Sequence, residues 1–117
     1  MNILLIGSGA REHAVARAID NSEHNSNLYC IASNMNPGIA ELCSEIIIDN
    51  INDPKLVVEY AKHSKASLAI IGPENPLSVG VSDALWDAKI KVVGPKRSLA
   101  QIETSKAFTR ELLSEYR

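Results

Sequence analysis

The sequence predicts a Rossmann-like α/β fold, a doubly wound parallel sheet of about five strands. Three observations carry that expectation. Short β-rich runs recur along the chain and are apolar almost throughout, as parallel strands covered on both faces must be. Amphipathic helical patterns fill the intervals between them. Of six glycines, Gly7, Gly72 and Gly94 directly follow such runs, and Gly9 and Gly38 lie in the loops just beyond.

The elements follow in order. Asn2–Ile6 is the first strand, and "GSGAREH" after it leads into a helix with Ala14, Val15, Ala18 and Ile19 on its apolar face. Leu28–Ala32 is the second strand. The stretch from Asn34 to Cys43 has room for a turn or two of helix, and Glu45–Asp49 forms the third strand. Asp53 then serves as N-cap, with Pro54 at the first helical position and Leu56, Val57, Tyr60 and Ala61 facing the core. Leu68–Ile71 is the fourth strand. A further helix carries Leu77, Val81, Ala84, Leu85 and Ala88, with Gly80 inside it, and Ile90–Val93 closes the sheet. Beyond it, Ser98-x-x-Gln101 reads as a capping box, and Phe108 and Leu112 pair one turn apart in a second helical run.

The composition bounds what such a chain can do. At 117 residues, 45% hydrophobic and 22% charged, it has enough material for one globular core. A net charge of −2 without runs of like charge offers nothing to nucleic acid or to an anionic membrane. Tyr29, Tyr60, Trp86, Phe108 and Tyr116 are scattered away from basic residues, so no base-stacking surface is expected. The apolar start is too short for a signal peptide or membrane span. Cys30 and Cys43 lack metal-ligand spacing and read as reduced thiols, which places the chain in the cytoplasm.

Doubly wound sheets bind ligands at the carboxyl ends of their strands, where the strand order reverses. In the order 3-2-1-4-5 that point lies between strands 1 and 4, so "GSGAREH" and "GPENPL" should meet there. Gly-x-Gly after a strand invites a dinucleotide reading. However, that fingerprint needs a third small residue where Glu12 stands, and an acid after strand 2, which ends in Ala32-Ser33-Asn34. Both departures argue against a nicotinamide-binding domain. What remains is a phosphate-sized anion site, with backbone N–H groups of residues 7–10, the positive end of the first helix, and the guanidinium of Arg11. Glu12 could cap the loop amides, and His13 fits a packed helix residue as well as a ligand contact. Pro73 and Pro76 stiffen the backbone around Glu74 and Asn75. Glu74 could accept from sugar hydroxyls or an amine, or merely satisfy a helix start.

Four motifs, "IGSGAREHA", "NPGIA", "IIGPENPLSVGVSD" and "VVGPKRSLAQIETSKAFTRELL", resemble in order and spacing the beginning of the glycinamide ribonucleotide synthetase (phosphoribosylamine–glycine ligase) family. The resemblance runs from Met1 to Arg117. It implies an ATP-grasp ligase of purine biosynthesis that joins glycine to 5-phosphoribosylamine through a glycyl phosphate, using ATP and magnesium. By position it implies a phosphoribosyl site formed by Gly7, Gly9, Ala10, Arg11 and Glu12 after strand 1. Gly72, Pro73 and Glu74 would join from strand 4, and Asn36, Pro37 and Gly38 from a neighbouring loop. It assigns Lys106 to ATP phosphate in the full-length enzyme, and no catalytic residue or metal ligand to this stretch. The implied division is a Rossmann-like substrate domain over residues 1–96 and a helical linker over 97–117, leading toward the remaining ATP-grasp domains. The family continues for several hundred residues with the ATP, magnesium and most glycine contacts, so a chain ending at Arg117 is expected to be inactive alone and to bind neither ATP nor magnesium. The alternative is a stand-alone phosphoribosyl- or nucleotide-binding module without catalysis.

Overall fold

The computed structural model describes residues 2–21, 26–72, 80–94, 107, 110 and 111. Five strands form one parallel sheet: β1 (Asn2–Ile6), β2 (Asn27–Ala32), β3 (Glu45–Ile48), β4 (Leu68–Ile71) and β5 (Lys91–Val93). Their order is β3-β2-β1-β4-β5, so the chain reverses direction across the sheet between β1 and β4. Ile6 is in register with Ile31 on one side and Ile71 on the other. The loops that follow these three strands therefore leave the sheet side by side.

Both faces are covered, as the unbroken apolar strands require. One carries α1 (Ala10–Asp20) and α2 (Pro37–Leu42), where Val15, Ala16, Ile19 and Ile39 pack on Ile3, Leu5, Cys30 and Ile70. The other carries α3 (Pro54–His63) and α4 (Val81–Asp87), where Val57, Tyr60, Ala61, Val81 and Leu85 pack on Leu4, Ile6, Ile31 and Ile71. Asp53 caps α3 as expected, its Oδ1 accepting from Lys55 N at 3.1 Å and Leu56 N at 3.4 Å. Among the described residues no helix is long and apolar enough to cross a membrane.

Four local readings need correction. The buried face of α1 comprises Glu12, Val15, Ala16 and Ile19, so Ala14 and Ala18 sit at its margins. Counting apolar residues rotated the stripe, because the residue that completes it is an acid. Gly80 lies at the start of α4 with φ +86, a left-handed conformation that interrupts a helix and suits glycine. Gly38 is within the first turn of α2 and not in a loop. Finally, β3 ends at Ile48 and lies at the sheet edge, where Ile48 is exposed despite the uniformly apolar run. The proposed division at residues 96 and 97 falls outside the described residues.

Candidate functional site

The loop after β1 is held from three directions. Gly7 adopts φ +122, and its N–H donates to Ile31 O at 3.0 Å. The Gly7 carbonyl accepts from Cys30 Sγ at 3.5 Å. Cys30 and Cys43 are free thiols. The neighbouring Cys43 and burial push the Cys30 thiol up, while Cys30 holds Cys43 below its ordinary range. Asn36 supplies the third tie. Its Oδ1 caps α2 by accepting from Gly38 N (3.0 Å) and Ile39 N (3.3 Å), and its Nδ2 donates to Ser8 O at 2.9 Å.

Glu12 occupies the centre. It is 7% exposed and sits three residues into α1, where its Oε1 accepts from Gly9 N–H at 3.0 Å. This is half of a capping box, with a glycine in place of the hydroxyl residue. A Cβ added at Gly72 would lie 2.4 Å from Glu12 Cδ and 2.6 Å from Oε2, so the missing side chain at Gly72 is what admits this carboxylate. The third small residue of a dinucleotide fingerprint is thus displaced to the opposing strand, and the space it would leave open is filled by an acid.

The expected site residues fall into distinct groups. Gly9, Ala10 and Arg11 are exposed at the helix start, and Arg11 has no partner among the described residues. The N–H groups of Ala10 and Arg11 point with the positive end of α1 toward solvent, a disposition suited to an anion. Asn36, Pro37 and Gly38 lie beside Ser8, with Asn36 engaged in holding the loops together. His13 is a packing residue: a Cβ at Gly38 would fall 2.3 Å from its ring, and Arg17 Nη2 approaches its Nε2 at 3.4 Å. Gly72 starts the loop after β4, its N–H donating to Ile6 O at 3.1 Å. Pro73, Glu74 and Lys106 lie outside the described residues.

A cavity of about 280 Å³ opens at this end of the sheet. Gly7, Ser8, Gly9 and Glu12 form one side; Ser33 and Asn34 from the end of β2, with Ile51 and Asn52 before α3, form the other. Sequence reasoning missed these last four. Ser33-Asn34 carries no acid that would mark it as a ribose contact, and Ile51-Asn52 is recruited by the β3 crossover, which no local motif announces. A second, more open groove of about 460 Å³ runs between α3 and α4 and shares no lining residue with the first.

The chain matches the family described as "Phosphoribosylglycinamide synthetase, N domain" over residues 1–103. It is 50% identical over 116 residues to the phosphoribosylamine–glycine ligase of Methanosarcina barkeri, a match covering 99% of this chain and 27% of that protein. The chain therefore spans about a quarter of the length of the curated relatives it matches. A structure of glycinamide-RNase-transformylase T from Mycobacterium tuberculosis is similar, with a TM-score of 0.66 at 10% identity, over 98% of this chain and 35% of that one. So is phosphoribosylglycinamide synthetase from Anaerococcus prevotii, with a TM-score of 0.63 at 17% identity, over 98% of this chain and 28% of that one. At these identities the two structures speak to the fold alone.

Proposed function

The chain belongs to the phosphoribosylglycinamide synthetase N-domain family, and from that membership we propose that it is the phosphoribosyl-binding domain of a ligase joining glycine to 5-phosphoribosylamine. The observation that carries this reading is the start of α1. Ala10 and Arg11 are exposed there, Arg11 without a partner among the described residues, and their neighbours Gly9 and Glu12 line a small cavity beside the ends of β1 and β2. A sugar phosphate needs a cation for its phosphate and acceptors for its hydroxyls, and this arrangement holds both within one loop.

In this reading the chain binds and orients, while bond-making belongs to the remaining ATP-grasp domains. The Arg11 fork and the α1 amides take the phosphate, and the loops after β1 and β4 fix the amine that attacks the glycyl phosphate. The remaining domains would hold ATP and magnesium, which would supply the activating phosphoryl group and offset the charge of its phosphates. Among the described residues no group of three or more His, Cys, Asp or Glu could hold a metal ion. The ATP contact of Lys106 belongs to the same proposal, as does a cytoplasmic location.

Two measurements test it. The chain incubated with ATP, magnesium, glycine and phosphoribosylamine should yield no glycinamide ribonucleotide above an empty-vector control; product would overturn the division of labour. Ribose 5-phosphate, the hydroxyl counterpart of the amine, should give saturable amide shifts at residues 7–12. Their absence would remove the substrate assignment.

A further inference from the structure

The two cysteines stand at different depths of one cluster. Cys30, on β2, is fully buried, whereas Cys43, directly after α2, is only partly so. Cys43 packs on the core cluster that contains Cys30, and the two thiols are hydrogen-bonded to each other. The backbone around Cys43 is also held. Its own N–H donates to Ala40 O at 3.4 Å, and the N–H of Ser44 donates to Leu28 O at 2.7 Å. α2 and β2 thereby set two sulfurs side by side, one sealed and one within reach of solvent.

Cys30 has one thiol proton and two acceptors for it, the Gly7 carbonyl at 3.5 Å and the Cys43 sulfur. Its hydrogen bond to Cys43 holds that thiol below its ordinary range and enriches the thiolate, the form that attacks disulfides, at the accessible sulfur. The same neighbour is the first cause that pushes Cys30 up, ahead of burial. Once the Cys43 sulfur is bound in a mixed disulfide it carries no charge. The largest obstacle to ionising Cys30 then falls away.

We propose that Cys30 and Cys43 form a thiol–disulfide exchange site for a low-molecular-weight disulfide of the glutathione class, and that its closure loosens the loop after β1. Cys43 Sγ attacks one sulfur of the reagent, the S–S bond of the reagent breaks, and the departing thiolate takes a proton from solvent. Cys30 Sγ gives its proton to solvent and attacks Cys43 Sγ, so that the mixed disulfide breaks and a second thiol leaves. The protein loses two electrons and two protons, and the reagent is reduced to two thiols. Cys30 then has no proton to donate, and the Gly7 carbonyl loses this partner, while Gly7 N–H keeps its bond to Ile31 O at 3.0 Å. A disulfide that opens and closes in this way is the kind a reducing compartment permits.

The test treats the reduced chain with oxidised glutathione, alkylates the remaining thiols and measures whole-protein mass. Both thiols should disappear together, giving a monomer lighter by two hydrogens that carries no glutathione. Cys30→Ala should stop at one glutathione on Cys43. Cys43→Ser should take up almost none, because its remaining thiol is sealed; uptake as fast as in the parent would remove Cys43 from the entry role. The amide of Ser8, which shares a peptide with the Gly7 carbonyl, should shift on oxidation and return with dithiothreitol. A lasting glutathione adduct on the unmodified chain, a disulfide between two chains, or thiols that stay reduced would each overturn the exchange site. An internal disulfide that leaves the Ser8 amide unmoved would overturn its link to the loop. Mass and shift are both read on the unmodified chain, so they decide even where a variant fails to fold.

Discussion

The two ends of the sheet use the same chemical groups to different effect. At the amino end, Tyr60 Oη–H donates to Glu45 Oε1 at 2.8 Å, with His63 Nε2 at 4.0 Å from the same oxygen. The Asn2 carboxamide donates to Ser64 O at 2.8 Å and accepts from Asn27 at 3.2 Å. Each of these groups has a partner within the protein, although Ser26 Oγ, just before β2, is buried without one among the described residues. At the carboxyl end, a carboxylate, two serines and two asparagines surround a cavity, and one oxygen of Glu12 and the Arg11 guanidinium have no described partner. Residue type therefore does not separate structural from ligand-facing polar groups. What separates them is whether the hydrogen-bonding capacity is already used.

The largest effect that would sharpen this contrast is expected at Arg11. In the complete ligase, Arg11→Lys keeps charge but loses the fork. It should lower kcat/KM for phosphoribosylamine about ten- to a hundredfold, as for loss of about 1.5–3 kcal/mol. Glu74→Gln, at a position outside the described residues, should cost as much or less. The Michaelis constant for ATP should hold in both, and normal thermal melting must be shown first. Retained kcat/KM in normally melting variants would break the comparison at its carboxyl end.

Gly72→Ala should come next. The added carbon meets the buried Glu12 carboxylate, so about 1–3 kcal/mol of stability should be lost in urea unfolding. Pairing it with Glu12→Ala should restore most of that loss relative to Glu12→Ala alone. A loss that persists undiminished in the double variant would mean that Gly72 is needed for its backbone and not for the space it leaves.

Tyr60→Phe probes the other end and should cost about 1 kcal/mol, because Glu45 is half exposed and its bond is partly screened. Burial and then Glu45 push the Tyr60 phenol up from 10.0. A raised folded-state value means that its stabilisation is complete below that pH and declines above it, as only the unfolded chain releases the proton. Thermal melting from neutral to strongly alkaline pH should show a steeper alkaline fall in the parent than in Tyr60→Phe. Ribose 5-phosphate affinity should not change. A drop in affinity would show that the two ends are coupled.

The smallest effect is expected with NAD and NADP. Neither should give saturable shifts at residues 7–13 or 32–35 below about 1 mM, because Glu12 sets a carboxylate where a pyrophosphate would run. Saturation in that range would revive the dinucleotide reading.

By itself the sequence determined the strand–helix alternation, the Asp53-Pro54 helix start, the parallel order and the position of the glycine loop. Those features rest on periodicities of two to four residues and on turn chemistry, which neighbours in the chain decide. It also exposed the anomaly at Glu12 and the lack of an acid after β2. It did not show that these two departures meet in one cavity, that Gly72 makes the room for Glu12, or that His13 packs on Gly38. Asn36 illustrates why: its Oδ1 caps the helix that follows it, yet its Nδ2 ties down Ser8, 28 residues away. Such contacts depend on which crossover lays which loop beside β1, and only the assembled sheet fixes that geometry.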